Sequence, residues 1–204
     1  MLVTLKRLLS GAAVSAALCA TLSGQAAQTA AEGQGQAAQK GPQWKDRAEY
    51  DLYQAFMKET DVNKKVELLN QWKEKYPQSE FKKMRAGLYL QTYQQAGQPK
   101  QMLVAAKDML AEDPKEFSAL SVITYLTPTL NDQTPEALQL GEKAAKGVLE
   151  NLATAPKPAN MTAEQWTKTQ NDAKALAYKT LGWVNMIRKD NVQAADNFTQ
   201  SLQI

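Results

Sequence analysis

From Trp44 onward the apolar residues of this chain recur at three- and four-residue intervals, and helix breakers interrupt them every fifteen to twenty residues. Tyr50, Tyr53, Phe56 and Met57 make one such stripe, and Val66, Leu69 and Trp72 make the next. No stretch reads convincingly as a strand. Tyr76-Pro77 and Asp113-Pro114 end helices, because the residue before a proline is pushed out of the α region. Gly97-Gln98-Pro99 is a turn that puts proline at a first helical position, where its missing N–H costs nothing. Thr134-Pro135-Glu136 is a similar start with Thr134 as N-cap, and Thr162 followed by Gln165 reads as a capping box. Ala155-Pro156-Lys157-Pro158 is a stiff connector, and Lys189-Asp190-Asn191 a tight turn between two antiparallel helices. The punctuation predicts eight helices, at 45–58, 63–75, 79–96, 99–112, 115–127, 135–153, 162–188 and 191–204. Pro128 is read as the close of the fifth.

The segment before Trp44 has a different character. Lys6 and Arg7 precede an apolar run from Leu8 to Leu22, and Gly24-Gln25-Ala26 offers small residues at the −3 and −1 positions of a cleavage site. Residues 1–26 are therefore expected to be a signal peptide, since the run is shorter than the ~20 apolar residues of a membrane span. Leu18 before Cys19 does not fit a lipoprotein signal. Residues 27–43 are rich in Ala, Gln and Gly and hold too little apolar surface to offset chain entropy, so they are expected to be a disordered linker. The ordered domain is expected at 44–204. Export, with a periplasmic destination, is the expected localisation.

Composition removes several function classes. The chain has no histidine, and Cys19, its single cysteine, falls within the expected signal. A mature chain would thus lack the commonest general base and the two commonest soft metal ligands, so no metal or cofactor is expected. The formal charge of +3 becomes +1 on loss of Lys6 and Arg7, and no basic tract of nucleic-acid type is present. There is no glycine-rich phosphate loop and no Gly-x-Ser-x-Gly elbow. Glu112-Asp113 reads as local polarity at a helix end.

Paired helices with a break every 35 to 40 residues indicate a repeat array. The last pair resembles the tetratricopeptide repeat: Ala175, Tyr178, Leu181 and Gly182 in its first helix, and Ala194, Phe198 and Ser201 in its second, stand at the family's small and aromatic packing positions. Asn185 replaces an aromatic there. A middle copy, from about Lys83 to Pro114, keeps Tyr93, Gly97 and Pro114 but has Met102 and Met109 where small residues are usual. A first copy, from about Asp46 to Pro77, keeps Leu52, Phe56 and Pro77 and departs at Tyr53 and Trp72. Residues 115–153 form a weak further pair. The resemblance implies an all-α fold, an α-α superhelix built as a tetratricopeptide-like solenoid of antiparallel helix pairs. Leu202 and Ile204 at the edge of the last pair, with no capping helix after them, raise the expectation of further repeats beyond this chain. Lys75-Tyr76-Pro77-Gln78-Ser79 also resembles repeats of exported proteins in bacterial envelope assembly.

In that family the ligand lies in a groove lined by the first helix of each pair. Carried over position by position, the resemblance implies Gln91, Gln94 and Gln95 in the middle copy, Trp183 and Met186 in the last, and Tyr50, Gln54 and Met57 in the first. Amides would bond a peptide backbone and the apolar groups would grip its side chains. The same residues have a plainer reading, with Trp183 and Met186 as packing residues and the glutamines as a solvated face. Trp72 reads as core; Trp44 and Trp166 read as hydrophobic staples or as exposed contacts. The expectation is a non-catalytic scaffold for a protein or peptide partner in the cell envelope. Two alternatives stay open: a structural subunit docked on an outer-membrane or cell-wall assembly complex, and a helical-array hydrolase acting on cell-wall glycan, which would need paired carboxylates of raised pKa in a cleft.

Overall fold

The computed structural model describes residues 42–204. The expected signal peptide, 1–26, and residues 27–41 of the expected linker lie outside the described residues. Eight α-helices and no strands occur among the described residues: α1 Arg47–Lys58, α2 Val62–Lys75, α3 Lys82–Gln95, α4 Pro99–Glu112, α5 Phe117–Leu130, α6 Pro135–Thr154, α7 Ala163–Ile187 and α8 Asn191–Leu202. The fold is all-α. No described helix is long and apolar enough to cross a membrane.

Local chemistry sets most of these limits. Asp46, Asp61, Thr134, Thr162 and Asp190 each accept a backbone N–H three residues on, satisfying one of the orphan donors of a helix start. Thr162 and Gln165 complete the capping box reciprocally. Most limits differ from expectation by one to three residues. The third helix begins at Lys82 rather than 79, because the Ser79 hydroxyl accepts from the Phe81 N–H and holds 79–81 in a turn. The last helix ends at Leu202 rather than 204. The fifth runs through Pro128 to Leu130 and closes on Asn131 in the left-handed region, φ 52°.

The described chain forms two compact units, residues 42–105 and 106–204, with the division falling inside α4. In the first unit α1 packs on α2, and α2 on α3. Its core holds Phe56, Leu69, Trp72, Tyr76, Phe81, Tyr89 and Leu90. Trp72 is 0% exposed, as its position in the sequence suggested. Truncating a side chain of that size in a packed core costs about 3–5 kcal/mol.

In the second unit α5 packs on α6 and on α7, α6 on α7, and α7 on α8. Leu120, Ile123, Leu126, Val148, Leu152 and Val184 form its core. Two glycines set how closely its helices approach. A methyl group at Gly182 would stand 2.7 Å from Phe198 Cδ1, and one at Gly141 would collide with Thr127. Pro128 has no N–H to offer the Thr124 carbonyl one turn back. That carbonyl accepts instead from Thr180 Oγ1 of α7, at 2.9 Å, and both threonines are fully buried. A side chain of a neighbouring helix thus fills the gap left by the proline, and the helix continues.

Candidate functional site

The groove residues implied by the repeat resemblance fall on three helices. Tyr50, Gln54 and Met57 share one row of α1; Gln54 Nε2 donates to the Tyr50 hydroxyl at 3.0 Å, and Met57 is 54% exposed. Tyr50 is half-buried against Trp44, 5.5 Å away edge to face, and Arg47 lies over its ring. Gln91 and Gln95 are exposed one turn apart on α3, and Gln94 beside them is half-buried. These two sets belong to the first unit. Trp183 and Met186 are one turn apart on α7 in the second; Trp183 is half-buried and Met186 is 45% exposed. Each set therefore presents some side chain to solvent. The only bond recorded within a set is that between Gln54 and Tyr50.

The most organised chemistry lies elsewhere, around Trp72. Glu49, in the first turn of α1, is 0% exposed. Its Oε1 accepts from the Trp72 indole N–H at 2.9 Å and its Oε2 from the Lys45 backbone N–H at 2.7 Å. Burial pushes its carboxyl up, but hydrogen bonds from Ser79, Lys45 and Trp72 and the charge of Arg85 outweigh that and hold it below the ordinary glutamate value. The positive end of α1 adds to the preference for the charged form.

Arg85 is the matching buried cation. Its Nη1 donates to the carbonyls of Trp72 and Tyr76, at 3.1 and 2.9 Å, so α3 supplies the cap for the C-terminal end of α2. The guanidinium also lies 5.5 Å from the centre of the Trp72 ring. Trp72 is thus held by its edge, its face and its carbonyl. Nearby, the Tyr76 hydroxyl donates to Asp46 Oδ1 at 2.7 Å, which with burial pushes the phenol up to about 12. The Glu49 and Ala48 N–H groups and this phenol hold Asp46 below the usual carboxylate range.

Rings close the cluster. Trp44 stacks on Phe81, with centroids 3.8 Å apart and planes at 19°, and lies 5.2 Å from Tyr53 and 5.7 Å from Trp72. Trp44 is half-buried and so not an exposed contact; it stands one residue before the staple position of α1, packs on Tyr50 at N4, and fastens the approach to α1 onto the approach to α3. Trp166 and Met161, both half-buried, occupy the two staple positions of α7.

Sequence reasoning missed Glu49 and Arg85. Their separation of 36 residues carries no periodic signal, and each by itself reads as a solvated charge. What could have exposed Glu49 is its place in the first turn after Asp46, opposite the helix that carries the core tryptophan.

Chemically the arrangement fixes Trp72 and Tyr76 through two acceptor carboxylates and one guanidinium. Asp46 and Glu49 are both held in the charged, accepting form, the reverse of a general acid at neutral pH. No group of three or more acidic, cysteine or histidine residues that could hold a metal occurs among the described residues. No family model, no curated protein and no solved structure matches the chain.

Proposed function

We propose that this chain is an exported helical-repeat scaffold of tetratricopeptide type, holding a protein or peptide partner in the bacterial cell envelope without catalysing a reaction. The observation that carries the reading is the packing of α7 and α8. Gly182 abuts Phe198, Ala177 and Ala194 are buried, and Ser201 Oγ donates to the Ala175 carbonyl at 2.8 Å. Small residues and one aromatic sit where a tightly apposed pair needs them. In the same unit α5 packs on α7 as well as on α6, so successive first helices adjoin, as they do when pairs stack into a superhelix.

In this reading the Gln91, Gln94 and Gln95 amides of the first unit meet the backbone of a peptide, and Trp183 and Met186 of the second unit separately offer apolar grip, each set being taken by itself. Affinity capture from an envelope extract tests it, with residues 27–204 as bait beside variants carrying alanine at Gln91, Gln94 and Gln95 or at Trp183 and Met186. A partner held by the parent and lost by a variant of unchanged helicity is the expected result. Equal retention by every variant would remove these residues from the binding surface.

A further inference from the structure

The residues just before α1 lie on the first unit as a peptide ligand would. Gln43 donates its backbone N–H to Glu80 Oε2, at 2.7 Å, and Lys45 donates its backbone N–H to Glu49 Oε2, also at 2.7 Å. Between them the Trp44 side chain enters a slot made by Phe81, Tyr53 and Trp72. Pro42, Gln43, Lys45 and Asp46 are exposed. The attachment therefore consists of two main-chain donors two residues apart and one aromatic anchor. The bonds recorded from Gln43 and Lys45 use only their backbones. Asp46 marks the pivot, since it is fixed independently by the Glu49 N–H and the Tyr76 hydroxyl.

We propose that Tyr53, Trp72, Phe81, Glu49 and Glu80 form a recognition slot for an extended peptide carrying a central aromatic residue, and that the chain fills this slot with its own residues 42–46. An extended partner segment of the form x-aromatic-x presents the same two N–H groups and the same ring, and main-chain bonds with one buried anchor are a general mode of peptide recognition. The slot is separate from the glutamine rows and does not rest on the repeat reading. Because the internal segment is tethered directly to α1, its effective concentration is in the millimolar range, so it masks the slot from weak ligands and yields to strong ones.

The test uses the full chain and a fluorescent peptide copying residues 40–46, Lys-Gly-Pro-Gln-Trp-Lys-Asp. Trp44→Ala removes the aromatic anchor and leaves the internal segment only its two backbone bonds, so that a peptide carrying the ring can displace it. Fluorescence anisotropy should show saturable binding of the peptide to this variant, at least ~10-fold tighter than to the parent chain, and no binding of a peptide with alanine at the tryptophan. A Trp44→Ala chain that keeps its helical circular dichroism and binds no peptide up to about 1 mM overturns the proposal. So does equal binding of the two peptides. Should Trp44→Ala lose its helicity, Gln43→Pro decides, since it removes one exposed backbone donor and leaves every ring in place. A folded Gln43→Pro chain that binds the peptide more tightly than the parent supports the slot, and one that binds no better refutes it.

Discussion

Thr180→Val is the most incisive test of how the second unit holds together. The change keeps the shape of a fully buried side chain and removes its hydroxyl. The carbonyl of Thr124, which Pro128 cannot reach, then stays buried without its 2.9 Å donor. Leaving a buried acceptor unsatisfied costs about 1–3 kcal/mol. At roughly 2–4 °C per kcal/mol for a chain of this size, the melting temperature should fall by several degrees. The decisive step is a double-mutant cycle with Pro128→Ala, followed by circular dichroism in urea. The Pro128→Ala change supplies the missing N–H one turn on, so the Thr180→Val penalty should shrink by about 1 kcal/mol in that background. If the two changes add within about 0.3–0.5 kcal/mol, Thr180 is not compensating for the proline, and the account of why α5 continues past it is wrong.

Three further outcomes can be checked by the same denaturation measurements. Gly182→Ala should cost about 1–2 kcal/mol, since overpacking against Phe198 exceeds the gain in helix propensity, whereas Gly87→Ala in α3, with nothing within 4 Å of the new methyl, should gain about 0.5–1 kcal/mol. Glu49→Gln should lower stability at neutral pH by about 1.5–3 kcal/mol through weaker hydrogen bonds to Trp72 and the Lys45 N–H. The folded-state pKa of Glu49 lies below its ordinary value of 4.5, so its contribution is complete above that value and is lost as the pH falls through the folded pKa; the parent should therefore lose stability more steeply in acid than Glu49→Gln. Ser121→Ala should leave the melting temperature unchanged or raise it, because the Ser121 hydroxyl is the one buried side-chain polar atom without a hydrogen-bond partner among the described residues.

The helices were legible because periodicity and punctuation agree. Thr134 and Thr162 stand directly before helical segments, and Pro99 and Pro135 open helices where proline is harmless. The fifth helix was misjudged at its end because the rule for an internal proline is local, while the group that repairs the break comes from 56 residues away in sequence. The core role of Trp72 followed from its spacing, but the charges that hold it did not. Glu49 and Arg85 become partners of one ring only when three helices meet, and no window along the chain contains all of them. For the implied groove, the sequence supplied residue types at repeat positions. Of these, Tyr50 is drawn into the aromatic cluster around Trp44, a use that repeat spacing does not encode.

The pairing of α6 and α7 has a mechanical consequence. In the first half of α6, Glu142 binds Arg188, the C-cap of α7, and Lys146 along its own helix. Near the end of α6, the Leu152 carbonyl accepts from Gln170 Nε2. The two attachments on α6 are ten residues apart, about 15 Å of helix. With Thr180 tied to Thr124 of α5 as well, α7 is anchored at three places along its length. Two rods joined at one point can slide or scissor; rods joined at several points must break a tie before they shear. A load along α7 is therefore carried into its neighbours as a displacement of the whole packed layer, so this unit should behave as a stiff strut.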